Sequence, residues 1–98
     1  MRWTLLLPLV LACEADGPEP AVRALVPARG RAGEMVEIQG RGFAGVGFVA
    51  FGAQAGEVTM WEDDRIRVRI PTMHAGATTV VVTVDGRQSD PERFEVNP

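Results

Sequence analysis

Past residue 20 the sequence sustains no long apolar period. Short runs that alternate every second residue are cut by Gly, Pro or Asp at intervals of about 8 to 12 residues, the cadence of an all-β sandwich. The clearest run is Arg65 to Ile70, where Ile66, Val68 and Ile70 alternate with Arg65, Arg67 and Arg69. Such alternation puts one side chain set in a core and the other in water. Thr78 to Val84 is a second, β-branched run with Val80, Val82 and Val84 on one side, closed by Asp85-Gly86, a pair suited to a type I′ hairpin turn. Further strands are predicted over Ala21 to Val26, Met35 to Gln39, Phe48 to Phe51, Val58 to Trp61 and Arg93 to Val96. Seven short strands fit a two-sheet sandwich. With 11 Gly and 7 Pro in 98 residues and no long amphipathic stretch, the sequence argues against a helical bundle. The length allows one domain, without internal repeats or low-complexity tracts.

The first twelve residues differ in kind. Arg2 precedes an apolar run from Leu5 to Leu11 broken only by Pro8, and Ala12 leads into Cys13. The run falls well short of the ~20 residues that span a bilayer, but it suits the apolar region of a secretory signal. Val10-Leu11-Ala12-Cys13 resembles a bacterial lipobox, although Val10 and Leu11 depart from its usual Leu and smaller residue. Residues 1–12 are therefore expected to be a lipoprotein-type signal peptide and Cys13 the lipidated N-terminus. Cleavage after Ala12 or Ala15 into a secreted protein and a misplaced start codon are the alternatives. Acyl chains contribute about 0.8 kcal/mol per buried CH₂, so two or three would hold the protein on a membrane, inner or outer. Cys13 is the sole cysteine and has no partner for an internal disulfide. Residues 13–20, with two prolines and no apolar anchor, read as a solvated tether reaching about 25 Å when stretched. The folded domain is expected over 21–98.

Within that domain, Pro27, Gly30 and Gly33 lead into Val36 and Ile38, followed by Gly40-Arg41-Gly42-Phe43, Val49 and Phe51-Gly52. Trp61 then precedes an acidic turn, followed by Ile66, Val68, Ile70, Pro71 and Gly76. Val80, Val82, Val84, Gly86, Ser89 and Phe94-Glu95-Val96 complete the pattern. Together, from Ala21 to Val96, these residues resemble the IPT/TIG domain, an immunoglobulin-like early-set sandwich found in plexins, transcription factors and bacterial surface proteins. Gly40, Gly42, Gly52, Asp85 and Gly86 are expected at turns or close backbone approaches. Gly40-x-Gly42 is no dinucleotide fingerprint, since neither a third Gly opening a helix nor a βαβ unit accompanies it. No cofactor is expected. The loop from Ala44 to Gly47 is short and small, and DNA-binding members of the family use basic loops and a partner domain. With 13 acidic residues against 10 basic ones, all arginine, and a pI near 5.0, nucleic acid is not an expected partner.

Candidate chemistry is sparse. His74 is the only histidine and reads as a solvated loop residue, without a Ser or Cys nucleophile in recognisable spacing. Glu62, Asp63 and Asp64 alternate in direction and cannot all converge on one Ca²⁺, so a turn with Asp side chains bonding nearby N–H groups is expected and no metal site. Trp61 offers either a stacking face for a sugar or a packed edge of the sandwich. Arg65, Arg67 and Arg69 are either contacts for an acidic polymer or a solvated face paired across to Glu or Thr. Trp61 and the three arginines are the candidate ligand contacts. The expectation is a non-enzymatic envelope lipoprotein that acts as a binding or structural protein-interaction module. The alternative is a carbohydrate-binding accessory module, because related domains accompany carbohydrate-active enzymes in secreted bacterial proteins.

Overall fold

The computed structural model describes residues 19–98. The predicted signal peptide, Cys13 and most of the tether lie outside the described residues. Those described form ten strands and no helix. They are β1 (Ala21–Val26), β2 (Arg29–Gly30), β3 (Met35–Arg41), β4 (Gly47–Phe51), β5 (Gln54–Ala55), β6 (Glu57–Glu62), β7 (Arg65–Arg69), β8 (Gly76–Val84), β9 (Arg87–Gln88) and β10 (Glu92–Val96). Seven correspond to the predicted strands, with ends moved by up to two residues. The other three, β2, β5 and β9, are two residues long and too short to show a period.

Sheet A has the order β1-β3-β7-β6, and sheet B the order β2-β10-β8-β4-β5 with β9 also paired to β8. The core lies between them. Val36 and Ile38 of β3 with Ile66 and Val68 of β7 point inward from sheet A. Val49 and Phe51 of β4, Val80, Val82 and Val84 of β8, and Phe94 and Val96 of β10 meet them from sheet B. Phe51 and Phe94 pack edge to face, with ring centroids 5.5 Å apart at 82°. Burying each such side chain is worth about 1.5–3 kcal/mol, which is how a domain without an internal disulfide holds together. Loop residues Phe43 and Ile70 close the two ends of this core.

Each sheet edge is blunted. Both edge strands of sheet A carry a register shift, between Val22 and Ala24 in β1 and between Val58 and Met60 in β6. The edges of sheet B are the two-residue strands β2 and β5. Short or bulged edges offer little template for pairing with another chain.

The two ends of the sandwich are distinct. Ala21 pairs with Arg41, so the chain enters at the end where β3 finishes, and Pro20 is buried there beside Gly42. The folded body therefore takes in Pro20, the last residue of the expected tether. Asp85 and Gly86 also turn at this end, with φ of 51° and 84°. At the opposite end Met35 pairs with Arg69, and residues 70–75 connect β7 to β8.

Candidate functional site

The arginines of β7 stand on the outer face of sheet A, and strand register decides what they meet. Glu57, Met35 and Arg69 lie abreast, as do Met60, Glu37 and Arg67, and Glu62, Gln39 and Arg65. Arg65 Nη2 is 3.1 Å from Glu62 Oε1, Arg67 Nε 3.6 Å from Glu37 Oε1, and Arg69 Nε 3.1 Å from Glu57 Oε1. Arg69 Nη1 also donates to the Gly33 carbonyl at 3.0 Å. A hydrogen bond from the Gln39 amide, helped by the charges of Arg65 and Arg67, holds the Glu37 carboxyl below its usual range against the opposing effect of burial. The hydrogen bond and charge of Glu62 raise Arg65. Each guanidinium thus has its own carboxylate, and the ladder projects little net field toward an acidic polymer.

Trp61 is half-buried against the core, and its indole N–H donates to the Phe43 carbonyl at 2.6 Å. Gly40 is not at a turn: it lies inside β3 opposite Val22, where a Cβ would overlap the Ala21 carbonyl oxygen. Its role is close approach. Gly42 and Gly52 do take positive φ, 77° and 60°. In the acidic turn the backbone makes the bonds: the Asp63 carbonyl accepts from Phe43 N–H and the Asp64 carbonyl from Gly40 N–H, both at 3.0 Å. The Asp side chains expected to do so are left to solvent, because β3 already presents its N–H groups to the turn. Across the loop, Asp85 Oδ1 accepts from Val46 N–H at 3.0 Å and ties residues 44–47 to the β8–β9 turn.

The outer face of sheet B is built differently. Phe48 is 52% exposed and paired with Thr83, Ala50 is paired with Val81 and Ala55, and Val46 beside them is 82% exposed. The centre of this face carries no charge. Sequence reasoning did not single out Phe48, yet the period of two would have found it: if Val49 and Phe51 point inward, residues 48 and 50 point outward.

Concavities sit at both ends, and two of them carry polar linings. The one at chain entry, about 290 Å³, is lined in part by Glu19, Arg41, Asp90 and Glu92. The other, about 620 Å³, lies between the β4–β5 turn and the β7–β8 connection and contains exposed His74 together with Gln54, Thr72, Met73 and Thr78. The sequence offered no signal for it, since its walls are two polar turns some twenty residues apart. Among the described residues no group of three or more His, Cys, Asp or Glu is placed to hold a metal ion.

Comparison with known proteins places this architecture. Cyclomaltodextrin glucanotransferase of Bacillus sp. (strain 6.6.3) is 39% identical over 75 residues, covering 72% of this chain and 10% of that enzyme. The enzyme of the same name from Paenibacillus macerans is 42% identical over 72 residues, 69% of this chain and 10% of its own length. Among solved structures, gamma-CGTase from alkalophilic Bacillus clarkii superposes with a TM-score of 0.78 at 30% identity, over 82% of this chain and 12% of that one. SGBP-B from a complex xyloglucan utilization locus in Bacteroides uniformis shares the fold, with a TM-score of 0.67 at 17% identity over 81% of this chain and 23% of its own. The chain spans about a tenth of the glucanotransferases it matches. The IPT/TIG domain pattern covers residues 20–96, and the chain belongs to the IPT/TIG domain family.

Proposed function

We propose that this protein is a non-enzymatic glucan-binding module of the bacterial cell envelope, exported by its N-terminal signal and held on a membrane by lipid on Cys13. The observation that carries the glucan reading is the 75-residue, 39% identity to one tenth of a cyclomaltodextrin glucanotransferase. A part that small, recurring here as nearly the whole folded body, serves such proteins as a module rather than as their reaction centre. The side chains support the same division. The arginines of β7 and their three glutamates neutralise one another, and His74 stands exposed outside those pairs. Affinity electrophoresis of the full chain through gels containing amylose tests the reading. Retardation by amylose is expected, and unchanged mobility in amylose refutes it.

A second reading is favoured by one observation, the uncharged outer face of sheet B around Phe48 and Val46. A protein partner docking there would make the chain an interaction module instead. In-cell crosslinking that captures one protein, lost in Phe48→Ser, combined with silence on glycans, would select it. The anchor is tested separately. Radiolabelled palmitate is expected in the wild type and not in Cys13→Ala, and equal labelling of both removes lipidation from the proposal.

A further inference from the structure

We infer that the depression between the β4–β5 turn and the β7–β8 connection is a subsite for a neutral oligosaccharide. This rests on the glucan reading and gives it a location. The depression, about 620 Å³, falls within the ~300–1,000 Å³ range of small-ligand clefts. Its lining includes the Gln54 amide, the Thr72 and Thr78 hydroxyls and the His74 imidazole, which offer donors and acceptors without a fixed charge. Met73, half-buried against the core, supplies an adaptable apolar surface between them.

Two features of its lining suit a neutral polar ligand. First, none of its lining residues is Arg, Asp or Glu, in a chain of which 23% is charged. The cleft at chain entry is lined by both signs of charge. An ionised ligand finds no arginine or carboxylate partner in the depression, whereas a polyhydroxylated neutral one needs only uncharged donors and acceptors to replace its lost water. Second, the side chains of Gln54, Thr72, His74 and Thr78 are not engaged in hydrogen bonds within the described residues. Trp61, Ser89, Asp85, Arg65 and Arg69, by contrast, make theirs internally.

The backbone keeps the depression open. Gly52 N–H donates to the Thr79 carbonyl at 2.8 Å, which pins the β4–β5 turn low over β8. With φ of 60° and a Cβ position 2.8 Å from Thr78 Oγ1, residue 52 favours Gly. The site also lies at the end opposite chain entry, the length of β3 or roughly 20 Å away.

The test is titration of the ¹⁵N-labelled full chain, solubilised in detergent, with maltoheptaose and separately with an acidic oligogalacturonate. Saturable amide shifts at residues 52–54 and 72–78 with maltoheptaose alone are expected. Gln54→Ala and His74→Ala should each raise Kd at least fivefold while amides of the β3–β7 pair stay in place. Shifts confined to the surroundings of Trp61 or Phe48 would overturn the location and leave the glucan reading standing. Equal shifts with the acidic oligomer would overturn the neutral-ligand assignment, as would wild-type affinity in both variants. No shift with maltoheptaose anywhere would overturn this inference, and unretarded mobility in amylose would show that the parent reading has failed as well.

Discussion

Ser89→Ala is the substitution whose cost follows most directly from the structure. Between Gln88, which pairs with Thr83, and Glu92, which pairs with Val80, the chain holds one residue more than β8 does, so the backbone lifts away from the sheet. Pro91 within this excursion has no N–H to donate. Ser89 restores the missing bonds: its N–H donates to the Val82 carbonyl at 2.8 Å, and its hydroxyl oxygen accepts from Val82 N–H at 2.9 Å. The serine is only 5% exposed and Val82 is fully buried, so water has no easy access once the hydroxyl is gone. An unpaired buried donor costs about 1–3 kcal/mol. For a domain of this size that is roughly 5–20 °C in Tm. Urea unfolding of wild type and Ser89→Ala should give parallel transitions with a lower midpoint in the variant, and hydrogen exchange should accelerate most at the Val82 amide. Ser89→Cys, a weak acceptor of similar shape, should fall between them. A loss below about 0.5 kcal/mol, or a Val82 amide that exchanges no faster, would refute the claim that this hydroxyl substitutes for a strand partner.

Gly40→Ala should cost more than about 3 kcal/mol or abolish soluble expression, because its Cβ would meet backbone at Ala21 and lie 2.8 Å from the Phe43 ring; a near-wild-type urea midpoint would count against the close approach. Trp61→Phe keeps an aromatic ring but loses the N–H bond to Phe43, and should lower stability by about 1 kcal/mol in the same assay. Arg67→Ala should change stability by less than about 1 kcal/mol, since its guanidinium is exposed and lies 3.6 Å from the Glu37 carboxylate. Glu37 has its carboxyl held low in the folded state, so its contribution to stability is full above the unfolded-state value and drains away as pH falls through the lowered one. Glu37→Gln should therefore lose less stability than wild type on acidification through that window, measured by unfolding at stepped pH.

Strand alternation made the core legible. Ile66, Val68 and Ile70, and Val80, Val82 and Val84, are buried as their spacing requires. The pairing of charges was less legible, because it depends on register between strands far apart in sequence. Glu37 meets Arg67 only because β3 and β7 align Val36 with Val68 and Ile38 with Ile66. The short strands β2, β5 and β9 carry no period at all, and the depression around Gln54 and His74 is assembled from turns whose spacing no chemistry constrains.

Trp61 shows how a single residue separates the two levels. Val58 pairs with Val68, so an unbroken ladder would set Thr59 against Arg67 and Trp61 against Arg65, on the outer face, where the indole would be a stacking platform beside the arginines. The register shift between Val58 and Met60 instead sets Met60 against Arg67, Trp61 against Ile66 and Glu62 against Arg65. One extra residue moves every later side chain to the other face. The same shift that turns Trp61 toward the core, where its N–H reaches the Phe43 carbonyl, brings Glu62 outward to Arg65. Neither residue's surroundings follow from the alternation of its own strand. The bulge exchanges an exposed aromatic for an ion pair, and so completes the set of three carboxylates that face the arginines of β7.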